Sequence, residues 1–304
     1  MYFRTDMAIE RRDLYKNANK IEDEITGIEC EEDVVDDIKI TRVNITNKEG
    51  EKALQRKIGN YITIDIKKIN NISEDKERKI IEVFSNELVK IINKHAKKED
   101  EILIVGLGNL HSTPDSLGTK VVENTEITRH IKIYLPNAID KNTRSVSAIT
   151  PGVLGTTGIE TVEIVKGIVS NIKPKLVIAI DSLCSKNIER INKSIQISDT
   201  GIVPGGGVGN KQEELSEKTL GIPVVAVGIP TVLDAATIVI DTLNACNISI
   251  NEDEIVNKMK LNNFNFVVTP KEIDLLIENM SNIVSEGINM SLWIIIPIGT
   301  ITTD

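Results

Sequence analysis

Short, largely apolar runs mark four segments of the chain, at 101–108, 145–149, 175–181 and 223–230. An apolar run of this length, bounded by polar residues or proline, is typical of a strand that is buried on both faces of a parallel sheet. Two earlier segments, 38–45 and 62–66, instead alternate apolar and polar side chains, which predicts strands with one buried face. The pattern therefore predicts a mostly parallel central sheet with a β-rich segment on its N-terminal side.

Helices with one apolar stripe are predicted between these strands. One follows the cap residue Ser73, and others follow the motifs at 157–160, 231–234 and 269–272. Strands that alternate with helices argue for right-handed βαβ units and for a single α/β domain whose sheet is flanked by helices. Residues 1–35 are charged and irregular, so we expect them to form a flexible or exposed arm.

The composition limits the classes of function. The 304 residues carry a formal net charge of −9, so we expect no concentrated positive surface of the kind that nucleic acid requires. Three widely spaced cysteines without a CxxC motif favour a reducing cytoplasm. The N-terminal segment has no apolar core for a signal peptide, and the apolar run at 292–301 is about half the ~20 residues of a spanning helix. We therefore expect a soluble protein without a membrane segment.

Two carboxylates stand out by their position. Asp181 ends the predicted strand at 175–181, and Asp115 lies in the loop after the strand at 101–108. In open α/β sheets, ligands and reactive groups sit at the carboxyl ends of the strands. If the two carboxylates lie close together they share a proton, so that one can activate water while the other protonates a leaving amine. The alternative is that Asp181 only caps a following helix.

Two further motifs allow different chemistry. The glycine-rich loop from Gly201 to Gly209 could cradle a phosphate, although it matches neither GxGxxG nor GxxxxGK[ST]. Cys184 could pair with a histidine as a nucleophile, although such a cysteine is more often a small buried side chain. The glycine loop leaves open a binding module for a phosphorylated ligand.

A metal site is the remaining alternative. His111 and His130 could join Asp115 and Asp181 as ligands of zinc or nickel. No HExxH or similar spacing supports such a site. This alternative corresponds to a metal-dependent maturation peptidase.

Nine motifs follow one another along the chain: RTDMA at 4–8, GLGNLHSTPDSLG at 106–118, TRH at 128–130, VSAITPGVLGTTGIET at 146–161, IAIDSL at 178–183, ERINKSIQISDTGI at 189–202, GVGNK at 207–211, LGIPVVAVGIPTVLDAATI at 220–238 and VTPKEID at 268–274. In this order they resemble the germination protease family of endospore-forming bacteria, a group of atypical aspartic endopeptidases. The chain departs from the family pattern at 203–212, where VPGGGVGNKQ replaces HPGSGVGNKR, and at 180–184, where IDSLC replaces IDALA.

The resemblance implies a fold, a chemistry and a substrate. The fold would be α/β and similar to that of hydrogenase-maturation proteases, and the catalytic residues would be Asp115 and Asp181. The substrates would be small acid-soluble spore proteins, which are degraded during germination. The enzyme would be a cytoplasmic homotetramer of the forespore and spore core, made as a zymogen, with no cofactor or metal and no direct binding to nucleic acid.

The N-terminus carries its own candidate cleavage site. The order acidic–apolar–Ala–x–Glu at 6–10 resembles the sites that the family cuts. We therefore expect the chain to cut itself between Asp6 and Met7, so that residues 1–6 form a propeptide and residues 7–304 a single α/β protease domain. The prosegment could occupy the substrate groove or tie down a neighbouring subunit. Mildly acidic conditions should promote the cut, because the pair works only when one carboxyl is protonated. The alternative is an inert disordered tail.

Overall fold

The computed structural model describes residues 5–69, 72–205, 212–248, 250–262, 264 and 266–293. The helices are Ala8–Asn19 (α1), Lys48–Leu54 (α2), Glu74–His95 (α3), Leu117–Glu123 (α4), Arg129–Tyr134 (α5), Leu154–Thr157 (α6), Thr161–Ile172 (α7), Glu217–Leu220 (α8), Ala235–Ala245 (α9), Glu252–Leu261 (α10) and Ile273–Trp293 (α11). The strands are Ile28–Val35 (β1), Ile38–Ile45 (β2), Gly59–Ile66 (β3), Ile102–Gly106 (β4), Val146–Ile149 (β5), Leu176–Ser185 (β6), Ser194–Ser198 (β7), Val224–Asp234 (β8) and Val267–Val268 (β9). Two short 3₁₀ helices are Thr113–Asp115 and Ile188–Arg190.

The strands of the described residues belong to one sheet with the order β1-β2-β3-β7-β8-β6-β4-β5, and β9 pairs with the end of β8. The pairs β8·β6, β6·β4 and β4·β5 are parallel. The pairs from β1 to β8 on the other side are antiparallel. The predicted α/β fold is therefore confirmed, and its β-rich N-terminal segment forms the antiparallel side of the sheet.

Helices cover both faces of the sheet. On one face, apolar residues of α3, α4 and α11 form a single cluster with alternate strand residues such as Ile178 and Ile180. On the other face, α7 and α8 cover the parallel strands, and Val177 and Ala179 belong to that cluster. The start of α1 and the end of α2 cover the antiparallel strands of this second face. The two clusters of the second face adjoin at Ile202, which packs against both.

Several local predictions are confirmed. Ser73 accepts a hydrogen bond from the backbone of Lys76 and begins α3, whose buried stripe contains Phe84 and Leu88. Asp234 caps α9 through the N–H of Ala236. The capping box expected at 157–160 is wrong, because residues 154–157 form α6 and the side chain of the residue before α7 makes no cap hydrogen bond.

For the described part, which begins at Thr5, the expectation of a flexible arm is wrong, whereas the expected exposure holds for most of β1. Residues 8–19 form α1 and residues 28–35 form β1. Met7 and Ala8 are fully buried, because they pack with Leu54 against the antiparallel strands. The few apolar residues of this segment are close together, so they can anchor it despite its charged composition.

No helix within the described residues is long and apolar enough to cross a membrane. Three sets of residues with sequence-based expectations lie outside the described ranges. They are residues 1–4 of the expected propeptide, the GVGNK motif at 207–211, and residues 294–304, which include most of the apolar run near the end.

Candidate active site

Asp181 lies inside the central strand β6 and not at its end. The strand continues to Ser185, so the alternative that Asp181 caps a following helix is wrong. The side chain is only 2% exposed. Its Oδ1 accepts the N–H of Ser182 at 2.8 Å, and its Oδ2 accepts the N–H of Gly205 at 3.3 Å. The carboxylate is thus buried with two backbone donors directed at it.

Asp115 is held by a turn that follows β4. The backbone N–H of Asn109 donates both to the carbonyl oxygen of Asp115, at 2.9 Å, and to its Oδ2, at 3.0 Å. Gly108 has a φ of +102°, and a Cβ there would lie 2.0 Å from the carbonyl oxygen of Asp115. Only glycine permits this backbone conformation and this close approach. The turn therefore fixes the Asp115 carboxyl relative to the end of β4.

Two hydrogen bonds join this turn to the neighbouring strands. The hydroxyl of Thr231 in β8 donates to the carbonyl of Pro114 at 2.7 Å. The N–H of Leu107 donates to the carbonyl of Ile180 at 2.8 Å, which prolongs the pairing of β4 with β6 to the residue before Asp181. The turn that carries Asp115 therefore lies against β8, and the chain just before it lies beside the residue that precedes Asp181.

Burial raises the pKa of both carboxyls. The pKa of Asp115 is raised to about 6, although the Asn109 N–H acts in the opposite direction. The pKa of Asp181 is raised well above its ordinary value by burial first and then by the charge of Asp115, with a smaller effect from Asp6. Neighbouring carboxyls with raised pKa values are suited to share one proton near neutral pH.

A pocket of about 210 Å³ opens beside Asp181. The pocket is lined by the small residues Ala226 and Gly228 of β8 and by Gln196 of β7, among others. Asp6 lines the same pocket. The expected autoprocessing position and Asp181 therefore adjoin one cavity.

The backbone at Asp6 is bound to β6 and β7. Its N–H donates to the carbonyl of Cys184 at 2.8 Å, and its Oδ2 accepts the N–H of Cys184 at 2.9 Å. Gln196 donates to the carbonyl oxygen of Asp6 at 3.0 Å. Arg56 lies 3.5 Å from the Asp6 carboxylate and donates to the carbonyl of Thr5 at 2.7 Å. The described part of the expected propeptide is thus docked at the pocket.

Glu10 anchors the other end of this segment. Its carboxylate is 4% exposed and accepts the N–H groups of Lys186, at 2.7 Å, and Asn187, at 3.1 Å. The hydroxyls of Thr5 and Ser185 also donate to it, and Arg190 lies 3.5 Å away. Hydrogen bonds to a charged, buried group are stronger than neutral ones, so this socket for Glu10 fixes the first turn of α1.

The residues that suggested other chemistry lie in different settings. Among the described residues, no three His, Cys, Asp or Glu side chains form a group that could hold a metal ion, and His111 is exposed. Burial raises the pKa of Cys184 to about 12, which leaves little thiolate for nucleophilic attack. Residues 206–209 of the glycine loop lie outside the described ranges, and the N–H of Gly205 is directed at Asp181.

The family model with the description "Germination protease" matches residues 6–250. The chain belongs to the germination protease family. A germination protease of Clostridium tetani is 44% identical over 96% of this chain and 96% of its own length. One from Caldanaerobacter subterraneus subsp. tengcongensis is 44% identical over 95% of this chain and 94% of its own length. One from Bacillus cytotoxicus is 37% identical over 95% and 93%, respectively. As a member of the germination protease family, the chain is a peptidase.

The sequence pattern did not single out Gln196 and Arg56, which both line the pocket. A signal for Gln196 was present, because residues 194–198 read SIQIS, with isoleucines alternating with polar residues as in a half-buried strand. The isoleucines face the cluster around α3 and α11, so Gln196 faces the pocket. Arg56 follows α2, a helix that the alternating pattern on either side of it concealed.

Asp181→Asn is expected to stabilise the fold at neutral pH. The folded chain keeps a proton on Asp181 that the unfolded chain releases above its ordinary pKa of 3.8. The contribution of this proton to the free energy of unfolding is therefore fully present below pH 3.8. It is lost as the pH rises through the raised pKa of Asp181 in the folded chain. A neutral amide avoids that loss.

Thermal unfolding of the wild type and Asp181→Asn between pH 4 and pH 8 tests this expectation. The melting temperature of the variant should rise relative to the wild type as the pH increases. Asp253→Asn, at an exposed site on α10, controls for the removal of one charge. A difference between Asp181→Asn and the wild type that does not change with pH would contradict the expected linkage.

Proposed function

We propose that this chain is an aspartic endopeptidase of spore germination in which Asp115 and Asp181 act as a pair. The observation that carries the proposal is the buried Asp181 carboxyl, whose pKa is raised further by the charge of Asp115. A pair of this kind holds one proton over a range of pH, so that a base and an acid are available at the same place. The membership of the chain in a peptidase family agrees with this chemistry.

The two aspartates would have different roles. Asp115, whose pKa is about 6, is the carboxylate at neutral pH and takes a proton from the attacking water. Asp181, which is more deeply buried, keeps its proton and donates it to the leaving nitrogen. After one turnover the pair again holds one proton. No metal or other cofactor enters this scheme.

The proposed substrates are small acid-soluble spore proteins, and the proposed location is the cytoplasm of the forespore and spore core. The support is the similarity over almost the full length to proteins named germination protease. The departures at 203–212 and 180–184 leave Asp115 and Asp181 in place.

Asp115→Asn and Asp181→Asn should each abolish cleavage of a small acid-soluble spore protein without unfolding the chain. Each substitution leaves a carboxyl without its partner, so the loss should be at least about 10³-fold, and the double variant should lose little more because the pair acts as a unit. The measurement is the rate of substrate loss on gels, with circular dichroism to confirm folding.

Asp199→Asn, at a loop carboxylate directly after β7, is expected to keep more activity, since Asp199 binds the backbone and side chain of Asn60. Near-normal activity in a folded Asp115→Asn or Asp181→Asn variant would refute the assignment. Chelator-sensitive activity with stoichiometric metal would instead favour a metal-dependent peptidase.

We also propose that the chain is a zymogen that cuts itself between Asp6 and Met7. Asp6 and Asp181 line the same pocket, and the segment before the bond is bound to β6. This docking supports a prosegment that occupies the groove, and it does not fit an inert tail. Residues 1–6 would then be the propeptide, and residues 7–304 would be the protease domain.

Self-cleavage should depend on pH through the pair. Mildly acidic conditions should promote the cut only down to about pH 6, because below it Asp115 becomes protonated, the base is lost and the rate should fall toward pH 4. As the pH rises through the raised pKa of Asp181, the acid is lost and the rate should fall again. Intact mass and N-terminal sequencing across a pH series give the rate. A new Met7 terminus that Asp181→Asn does not form would support the proposal, whereas an unchanged terminus in a preparation that digests substrate would rule it out.

We propose a homotetramer as the assembled form. Three neighbouring apolar side chains at the end of α5 are exposed, Ile133 by 50%, Tyr134 by 78% and Leu135 by 61%, as is common for surfaces that bind a partner. Light scattering should give about four times the chain mass of 33.6 kDa. Tyr134→Glu should lower that mass, whereas Phe264→Glu, at another exposed aromatic residue, should not. A wild-type mass of one chain would contradict the assembly.

A further inference from the structure

Gln196 touches the chain on both sides of the Asp6–Met7 bond. Its Nε2 donates to the carbonyl oxygen of Asp6 at 3.0 Å, and its Oε1 accepts the N–H of Ala8 at 2.7 Å. The residue is 8% exposed. The two contacts fix the orientation of the amide, because the reversed orientation would place oxygen against oxygen and N–H against N–H.

The sheet places Gln196 and Asp181 on the same side of the molecule. Both are in register with Gly228 of β8, Gln196 from β7 and Asp181 from β6. Residues in register across a sheet direct their side chains to one face. Gln196 and Asp181 are separated by two strand spacings of ~4.8 Å, so their Cα atoms are about 10 Å apart. All three residues line the same pocket.

Gly228, which lies between them in the sheet, leaves its face to the side chain of Leu183. A Cβ at this position would lie 2.5 Å from the side chain of Leu183, which already covers part of the β8 backbone. A larger residue would therefore displace Leu183 or fill part of the pocket.

We propose that Gln196 is a catalytic residue, which stabilises the oxyanion that forms on the carbonyl oxygen of Asp6 during self-cleavage. The inference rests on the proposed cut between Asp6 and Met7 by Asp115 and Asp181. An amide N–H that already points at the carbonyl oxygen needs no reorganisation when negative charge develops there, and this is how side-chain amides act in oxyanion holes.

The atoms and protons of the step balance. Water oxygen bonds to the carbonyl carbon of Asp6, one water proton passes to the Asp115 carboxylate, and the electron pair of the C=O bond moves to the oxygen that Gln196 holds. When the carbonyl re-forms, the C–N bond breaks and the Asp181 proton passes to the nitrogen of Met7. The products are the Asp6 carboxyl and the Met7 amine, and the pair still holds one proton.

A purely structural role for Gln196 predicts a different result. Its Oε1 anchors the N–H of Ala8 at the start of α1, and that contact alone would stabilise the segment. Gln196→Glu keeps an acceptor for Ala8 but replaces the donor to Asp6 with an oxygen. Gln196→Met removes both contacts at a similar length. The two variants therefore separate the effect of the hydrogen bond to the Asp6 carbonyl from that of the hydrogen bond to the Ala8 N–H.

The test is the rate at which the full chain forms a Met7 terminus, followed by intact mass for the wild type, Gln196→Glu, Gln196→Met and Asp181→Asn. Both Gln196 variants should be folded and slower by about 10²–10³-fold, the loss typical for one oxyanion donor. The rate of Gln196→Glu relative to the wild type should recover as the pH falls, because a protonated carboxyl can again donate to the carbonyl. A role confined to anchoring the N–H of Ala8 would not produce this pH dependence, because a carboxylate also accepts that N–H.

Gln55→Asn is the matched control, since Gln55 is an amide that lines the same pocket and its described contact is with Arg11. It should cut at the wild-type rate. If Gln196→Glu also cuts at that rate while Asp181→Asn is inert, Gln196 is only an anchor and the inference is overturned. If Asp181→Asn itself cuts, the proposed function fails, whatever the Gln196 variants do.

Discussion

The burial of a carboxyl in the central strand is the constraint on which the site depends. Asp181 follows the buried Ile180 in β6 and is itself only 2% exposed, and two backbone N–H groups are the described donors to its oxygens. Ionising a carboxyl in such surroundings is costly, so burial raises the pKa of Asp181 and favours its neutral form. The turn that carries Asp115 matters because the charge of Asp115 raises the pKa of Asp181 further.

The change from parallel to antiparallel pairing at β8 provides the space for this site. β8 pairs in parallel with β6 on one side and antiparallel with β7 on the other. On the face that holds the pocket, the helices cover the two sides of the sheet as two clusters, and the start of α1 packs with Leu183 of the central strand β6. The residues of β8 that line the pocket, Ala226 and Gly228, are small.

The sequence could predict the parts that depend on local patterns. Apolar runs located the parallel strands, and the position of Asp115 and Asp181 after or within those runs led to the expectation of a carboxyl pair. In the structure the charge of Asp115 raises the pKa of Asp181. The course of residues 5–35 could not be predicted, because their burial depends on distant partners such as Leu54 and on the socket for Glu10. The continuation of β6 beyond Asp181 was hidden for a related reason. Residues 182–185 at its end interleave serines with Leu183 and Cys184, and the N-terminal segment binds this part of the strand through Cys184.

The socket for Glu10 lies on the far side of Met7 from the segment that binds Cys184. Although Thr5 also donates to Glu10, the first turn of α1 keeps the N–H groups of Lys186 and Asn187 as attachments that do not depend on residues 1–6. If the bond before Met7 is cut, the helix keeps its place while a hexapeptide loses its covalent tether and can diffuse away. Activation of such a chain would be a dissociation rather than a refolding event, and the entropy gained by the departing peptide would make it effectively irreversible in a dilute solution.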